Sequence, residues 1–499
     1  MRRSYARHLS FLLEDDDEDK DLLESLKTAG KSIFKSAHPD PAKKGPRIPP
    51  EFNPKEWLTF LLHVDAELEH SLMVQYLYAA YSLGGDQVPD KYREMVKGWQ
   101  EVILGIAKEE MGHFVSVQNV LRVLGSPLNF NRQDFPWDSD LYPFEFKLEP
   151  LSKSSLAKYV FAESPAGWLK NTEGDDKETK EIKEEIKGYL NREQHGDPIS
   201  KLFIQILNII KDPELIPDDV FLANTYPCQA KFDEWGRGYT GGARGNVRVD
   251  KTDASLKGTP DVLVAPVMSR TDAIAALTEI AEQGEATTID EEGNVSHFER
   301  FLIIYKEWRK IPEKELRPTR NMPTNPYVSD QLINPDQSPS EGLISDTANT
   351  LITDPVAADW ASLFNIRYRM LLAFLAHSFL LDDGFNNSGA YAPRGTIVNA
   401  TFGEMYNLRS IANVLVNTPI AEGSDMVAGP PFLIPYSMDL PLGEQSRWKL
   451  HQDLLQASEK LVEKLLKTSD EKYHRYLYAL RESDDQLNKI AEKITSVPA

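Results

Sequence analysis

The chain has 499 residues, 41% hydrophobic and 27% charged, so it can bury a substantial core and is not a disordered polymer. Lys and Arg number 56 against 77 Asp and Glu, and the net charge of −21 repels phosphate backbones and anionic lipid surfaces. A single cysteine, Cys228, excludes an internal disulfide framework and any cysteine-rich metal site, so a bound metal must be held by His and carboxylates.

The opening MRRSYARHLSFLLEDDDEDKD sets basic residues before an apolar patch, as a signal peptide would. The patch is only Leu9 to Leu13, however, and acids follow at once. No run approaches the ~20 apolar residues that a bilayer span needs. The expectation is a cytoplasmic protein bound to neither membrane nor nucleic acid. Residues 1–50 form a charged, loosely ordered segment that ends in a Pro- and Lys-rich linker at Lys43 to Pro50.

The first strong helix signal is FNPKEW, in which Asn53 caps, Pro54 suits the first helical position and Glu56 completes a capping box. Apolar residues then continue to Leu83, where Gly84 and Gly85 stop the helix; a run apolar on nearly every side predicts burial in the middle of the fold. A second helix is predicted over 90–124, with a stripe of Trp99, Ile103, Ile106, Glu110, His113, Val117, Val120 and Leu124 at alternating spacings of three and four. The span 131–268 reads as an insert. It holds an aromatic loop (with Phe135, Trp137 and Tyr142), shorter helices near 154–163, 178–190 and 199–211, and the polar stretch GRGYTGGARGN, a hairpin or surface loop.

Two further helices, about 270–286 and 296–309, are joined by the turn TTIDEEGNV. Residues 313–353 form an irregular linker, Asp354-Pro355 opens an apolar helix to about Leu381, and a helix near 398–417 and a charged helical region from about 443 follow. The fold class is mostly α: a helical bundle over 51–312, with long inserts, and a C-terminal helical region, 354–499, packed on it.

Dimetal carboxylate bundles use a Glu-x-x-His pair on one helical turn and single Glu residues from neighbouring helices. Three such pairs occur here, Glu67/His70, Glu110/His113 and Glu471/His474, where composition alone yields about one. Glu471/His474 lies in the charged C-terminal helix and reads as a solvated face. Glu110/His113 interrupts an apolar stripe, where an uncompensated carboxylate is costly; a buried Glu–His hydrogen bond or an interhelical salt bridge would also use that pattern. Glu69 shares a face with Leu62, Leu72, Tyr76, Ala79 and Leu83 and points into the core. Glu67 points elsewhere, toward a polar contact or an auxiliary catalytic role, and His70 suits a core hydrogen bond.

In AIAALTEIAEQGEA either Glu282 or Glu285 supplies a third carboxylate, with Glu285 preferred. His297 lines up with Phe301, Ile304 and Trp308, a face that a satisfied core histidine would also occupy, and Glu299 belongs to a capping box with Ser296. Glu69, Glu110, His113, Glu285 (or Glu282) and His297 make three carboxylates and two imidazoles on four helices. That set suits two divalent metal ions, iron or manganese, with iron preferred. Tyr76, on the same helical face as Glu69, would donate a hydrogen bond to a bridging oxygen or sit as an ordinary buried Tyr.

The segments EWLTFLLHVDAELEHSLMVQYLYAAYSL, IAKEEMGHFVSVQNVLRVLGSPLNF, FKLEPLSKSSLAKYVFAESP, AIAALTEIAEQGEA with SHFERF, and AGPPFLIP resemble the ferritin-like superfamily and, more narrowly, the iminophenyl-pyruvate dimer synthase family that includes the violacein-pathway enzyme. The resemblance spans roughly 55–450. It implies a ferritin-like four-helix core and oxidative coupling of amino-acid-derived imines. Glu69 matches the first-helix carboxylate, Glu110 and His113 the second-helix pair, and EQGE and SHF the third- and fourth-helix pieces. A second Glu-x-x-His on the fourth helix is lacking, and the five-ligand set is similar to that of dimanganese catalases. The expected function is a nonheme dimetal oxidoreductase of specialised metabolism, using dioxygen or a peroxide on a small aromatic substrate, with the oligomeric state left open. Alternatives are peroxide disproportionation by a dimanganese site and a metal-free ferritin-like scaffold.

Overall fold

The computed structural model describes residues 8–9, 46–137, 144–165, 167–170, 174–190, 198–235, 248–250, 253–257, 264–285, 295–328, 350–382, 393–434 and 437–496. The charged head over 10–45, Tyr142, GRGYTGGARGN, most of TTIDEEGNV and the linker over 329–349 lie outside the described residues, as do the side chains of Glu282 and Glu285. The helices are α1 (Pro54–Ser82), α2 (Arg93–Val123), α3 (Lys153–Ala162), α4 (Lys177–Tyr189), α5 (Pro198–Lys211), α6 (Arg270–Glu285), α7 (His297–Arg309), α8 (Pro355–Ser378), α9 (Pro393–Leu415), α10 (Glu444–Thr468) and α11 (His474–Thr495). Sheet is confined, among the described residues, to two small pairs, Arg248–Asp250 with Asp253–Lys257 and Pro326–Tyr327 with Thr350–Leu351.

Local chemistry sets the ends of the central pair. Asn53 Oδ1 accepts from Glu56 N at 2.9 Å while Glu56 Oε2 accepts from Asn53 N at 3.1 Å, the reciprocal box that starts α1. α2 ends at Gly125, which adopts φ 62° so that Gly125 N reaches Arg122 O and Ser126 N reaches Leu121 O; a side chain there would be strained. α1 is buried on nearly every face, and the predicted α2 stripe from Trp99 to Leu124 is buried throughout.

α1 packs chiefly on α2, α3 on α7, and α5 on α6, with α6 and α7 closing against α2. α3 falls within the span read from the sequence as an insert, yet it packs directly on α7. A second group follows: α8 packs on α9 and α10, and α10 on α11. The charged C-terminal region is divided rather than continuous, because Asp470 accepts from Lys472 N at 2.9 Å and caps a tight turn over Glu471–Tyr473. Glu471 is exposed on that turn, as its charged surroundings predict.

The second group is pinned by a buried cation. Arg367 on α8 donates to Glu404 Oε1 of α9 at 3.0 Å, to Ser458 Oγ of α10 at 2.6 Å and to Asp484 Oδ1 of α11 at 2.8 Å. Arg367→Met would leave two buried carboxylates without their cation, and the expected loss in unfolding free energy, read from the urea midpoint and slope, is about 3–5 kcal/mol.

Candidate metal centre

Glu69 on α1, Glu110 and His113 on α2, Glu163 one residue beyond α3, and His297 at the first position of α7 converge in the bundle core, all buried. His297 follows the cap residue Ser296, whose Oγ accepts from Glu299 N at 3.2 Å, so the start of α7 holds the imidazole in place.

Glu110 stands at the centre. Its Oε2 lies 3.1 Å from Nδ1 of His113 and its Oε1 lies 2.7 Å from Nδ1 of His297. Glu69 Oε2 approaches the same His113 nitrogen at 3.4 Å, and Glu163 Oε2 approaches the His297 nitrogen at 3.5 Å. Two triads result, Glu69–Glu110–His113 and Glu110–Glu163–His297, each with one donor atom per residue within 4.8 Å of the others. The imidazole rings lie nearly parallel, their planes inclined by 25° and their centroids 5.4 Å apart.

Glu69 Oε2, Glu110 Oε1 and His297 Nδ1 are buried and make no hydrogen bond of acceptable geometry. Ligand atoms that approach this closely without an aligned hydrogen bond face a common point, which is what a cation site presents. Three carboxylates and two imidazoles also balance most of the charge of two divalent ions with hard and borderline ligands. The clusters are compatible with a dimetal site.

The electrostatics point the same way. Burial, and then the charge of Glu110, push the Glu69 carboxyl well above the usual range. Burial and Glu110 likewise raise Glu163. Burial acts upward on Glu110 too, but the charge of His297 and hydrogen bonds from its neighbours outweigh it and hold Glu110 well below. Burial would lower both imidazoles, yet Glu69 beside His113 and Glu110 beside His297 raise them well above the ordinary value. Without a cation, protons do the work of neutralising the centre.

A cavity of about 20 Å³, room for about one water-sized sphere, adjoins the centre. Asp65, Glu69, Glu110, His113 and Glu163 form its polar side, and α5 and α6 close it with apolar groups that include Phe203 and Ile280. Gly284 leaves space there, since a Cβ would come to 3.4 Å from Glu163 Oε2. Phe135 and Trp137 of the aromatic loop line no part of this cavity; Trp137 packs on Phe146 with ring centroids 4.8 Å apart.

The structure thus brings together Glu69, Glu110, His113 and His297. Glu163, which the sequence reading passed over, supplies the third carboxylate of the described cluster. Tyr76 donates its hydroxyl to Glu163 Oε1 in a short hydrogen bond, not to the space between the triads. Glu67 stands apart: Asn129 Nδ2 donates to its Oε1 at 3.1 Å and Gln133 Nε2 to its Oε2 at 3.0 Å. His70 packs behind α1, where burial and the charge of Arg132 lower it to about 3.

Residues 62–306 match the family model described as Ferritin-like. This helical core is ferritin-like. A dichlorochromopyrrolate synthase of Lentzea aerocolonigenes is 26% identical over 398 residues, 73% of this chain and 34% of that protein. A 2-imino-3-(indol-3-yl)propanoate dimerase of Chromobacterium violaceum is 35% identical over 147 residues, 24% of this chain and 14% of that protein. The chain therefore spans about a third or less of the length of these curated relatives. No solved structure gives a significant match. Among the described residues, no helix of this chain is long and apolar enough to cross a membrane.

Asp65, on the cavity wall, carries a testable consequence. Burial raises its carboxyl to about 8, with His113 opposing and Glu110 adding to the effect. A raised carboxyl is neutral in both states at low pH; once pH passes the unfolded value the unfolded chain gains by ionising while the folded chain keeps its proton. Its stability contribution is therefore complete below the unfolded value near 4 and is lost as pH rises toward 8. In chelator-stripped protein, Asp65→Asn should flatten the decline of Tm between pH 5 and pH 8, measured by differential scanning calorimetry.

Proposed function

We propose that the protein is a nonheme dimetal oxidoreductase in which Glu69, Glu110 and His113 hold one divalent ion and Glu110, Glu163 and His297 hold the other, with iron preferred to manganese. The observation that carries this reading is the single carboxylate of Glu110, each oxygen of which faces a different buried imidazole. No structural need would bury three carboxylates and two imidazoles together without cations, since ordinary packing avoids such groups.

The proposed reaction is the oxidative coupling of two 2-imino-3-arylpropanoates, the class to which the substrate named for one relative belongs. Coupling breaks one C–H bond on each molecule, forms one C–C bond and releases two protons and two electrons. A peroxide accepts both electrons with two protons and leaves as two waters, or dioxygen accepts them and becomes a peroxide. A bound metal pair would supply the redox capacity for that transfer. The chain's own groups do the rest: Tyr76 holds the Glu163 carboxylate in its inward rotamer, and Phe203, Ile280 and Leu72 keep bulk water off the polar centre.

A second reading, peroxide disproportionation at a dimanganese site, is favoured by the size of the cavity, which suits a peroxide and excludes an indole unless α5 or α6 moves. Plasma mass spectrometry on protein purified without chelator should find about two equivalents of iron or manganese, and Glu110→Ala should lose most of both because Glu110 belongs to both triads. Loaded protein given 2-imino-3-(indol-3-yl)propanoate, generated in place from tryptophan by an amino-acid oxidase, should form a product with the mass of the coupled dimer. Oxygen evolution from peroxide with no dimer would select the second reading. Metal-free protein after supplemented expression would overturn both and leave a scaffold.

A further inference from the structure

The two imidazoles of the centre are backed by different chemistry. Nε2 of His297 lies 2.6 Å from Glu109 Oε2, and Glu109 is gripped in turn by Arg300, whose Nη1 lies 3.2 Å from Oε1 and whose Nη2 also contacts Oε2. Glu109 and Arg300 are both buried. Nε2 of His113 instead lies 2.7 Å from Oε1 of Gln283, a neutral side chain on α6.

An ionised carboxylate only accepts, so Glu109 holds His297 with its proton on Nε2 and its Nδ1 toward Glu110 and Glu163. An amide presents oxygen at one end and NH₂ at the other, so by turning over Gln283 serves either tautomer of His113. Both inward nitrogens face Glu110, His297 Nδ1 at 2.7 Å from Oε1 but without an aligned hydrogen bond, and His113 Nδ1 in a hydrogen bond to Oε2 at 3.1 Å. One imidazole has its outer proton fixed by a carboxylate; the other does not.

We propose that the two cation positions are unequal and fill in order, the Glu110–Glu163–His297 position first and the Glu69–Glu110–His113 position second, with Glu109 and Gln283 as the positioning residues that set the order. The proposal rests on the dimetal reading above. Backing by a carboxylate fixes the ring and makes it a stronger donor, and loss of such a partner typically costs ~10–100-fold in metal affinity. The Arg300 charge does not cancel this advantage, because its contacts go to Glu109 and keep that carboxylate ionised and aimed. At either position an incoming ion displaces an imidazole–Glu110 contact, but only at the second must it also fix an amide in one of its two orientations.

The test is a Mn²⁺ titration of the full chain stripped with chelator, with free and bound Mn²⁺ read by electron paramagnetic resonance and the fold of each variant checked by circular dichroism. Wild type should bind in two steps separated by ~10-fold or more, with an isolated-ion signal at one equivalent and an exchange-coupled signal only beyond it. Gln283→Glu, nearly isosteric, should strengthen the second step and narrow the gap. Glu109→Gln should weaken the first step and leave the second in place. His113→Ala should keep one ion at the first-step affinity, and His297→Ala should lose that step. Two equal steps, a coupled signal dominant at one equivalent, or loss of the tight step in His113→Ala would overturn the order while leaving the dimetal reading intact. No Mn²⁺ bound by folded wild type would overturn both.

Discussion

The structure is organised around the cost of placing carboxylates where there is almost no water. Glu69, Glu110, Glu163, His113 and His297 lie in the middle of the helical core, with Asp65 and Glu109 within one turn of them on their own helices. An isolated carboxylate in such a place carries a desolvation penalty of several kcal/mol, so every neighbour must be an opposite charge, a donor, a proton or an ion. This explains why α1 lacks a polar face. As the central helix it meets packing on all sides, and of its buried carboxylates Asp65 and Glu69 face the centre while Glu67 is tied by Asn129 and Gln133. It also explains the small residues Ala162, Ala281 and Gly284 around the cluster, which let helices close to carboxylate distance.

How the sequence carries this arrangement differs from residue to residue. Glu110 and His113 lie on a long periodic stripe, and a carboxylate on an apolar stripe signals burial by its cost alone. Glu69 is legible for the same reason, through its companions Leu72, Tyr76 and Ala79. The ends of α1 and α2 are equally plain, because Asn53, Glu56 and Gly125 act within a few residues of themselves. Glu163 is another case. It follows a ten-residue helix inside an aromatic span, and periodicity tells which way a side chain leaves its own helix but not which helices meet. A hint was present in α3 itself, buried from Ser155 to Ala162 on all faces, as only a core helix is. Gln283, between two glutamates, carries no such signal, because a neutral acceptor costs far less to bury than a charge and so marks no burial by itself.

Glu109 shows how one residue step changes a role. Adjacent to Glu110 on α2, it leaves the helix about 100° away and reaches Nε2 of His297 from the far side, while Glu110 reaches Nδ1 of the same ring. The doublet therefore clamps one imidazole between two carboxylates on neighbouring positions. Arg300, one turn along α7 from His297, supplies the cation that keeps the outer carboxylate ionised: burial acts upward on Glu109, but the Arg300 charge and the His297 contact outweigh it and leave its carboxyl lowered. The spacing of His297 and Arg300 by three residues thus matches the spacing of one residue on α2, a correspondence visible only after α2 and α7 are brought together.

The C-terminal helices bear on the centre through its back wall. Arg132 Nε donates to the hydroxyl of Tyr368 at 3.2 Å, that hydroxyl donates to His70 Nε2 at 2.5 Å, and His70 Nδ1 donates to the Asn131 carbonyl at 3.4 Å. Each donor and acceptor in this chain has one assignment, because a carbonyl cannot donate and a guanidinium cannot accept. His70 is neutral at physiological pH, since burial and Arg132 both oppose its charge. A proton can therefore neither be stored on this ring nor passed through it at low cost. The chain joins α8 to α1 at the residue next to Glu69, and the ring of His70 lies 4.9 Å from Phe114, the residue next to His113. The back of α1 is thus braced by directed hydrogen bonds that run from the Arg132 guanidinium to a neutral His70, while Glu69, Glu110, Glu163 and the two other imidazoles face one another at the front.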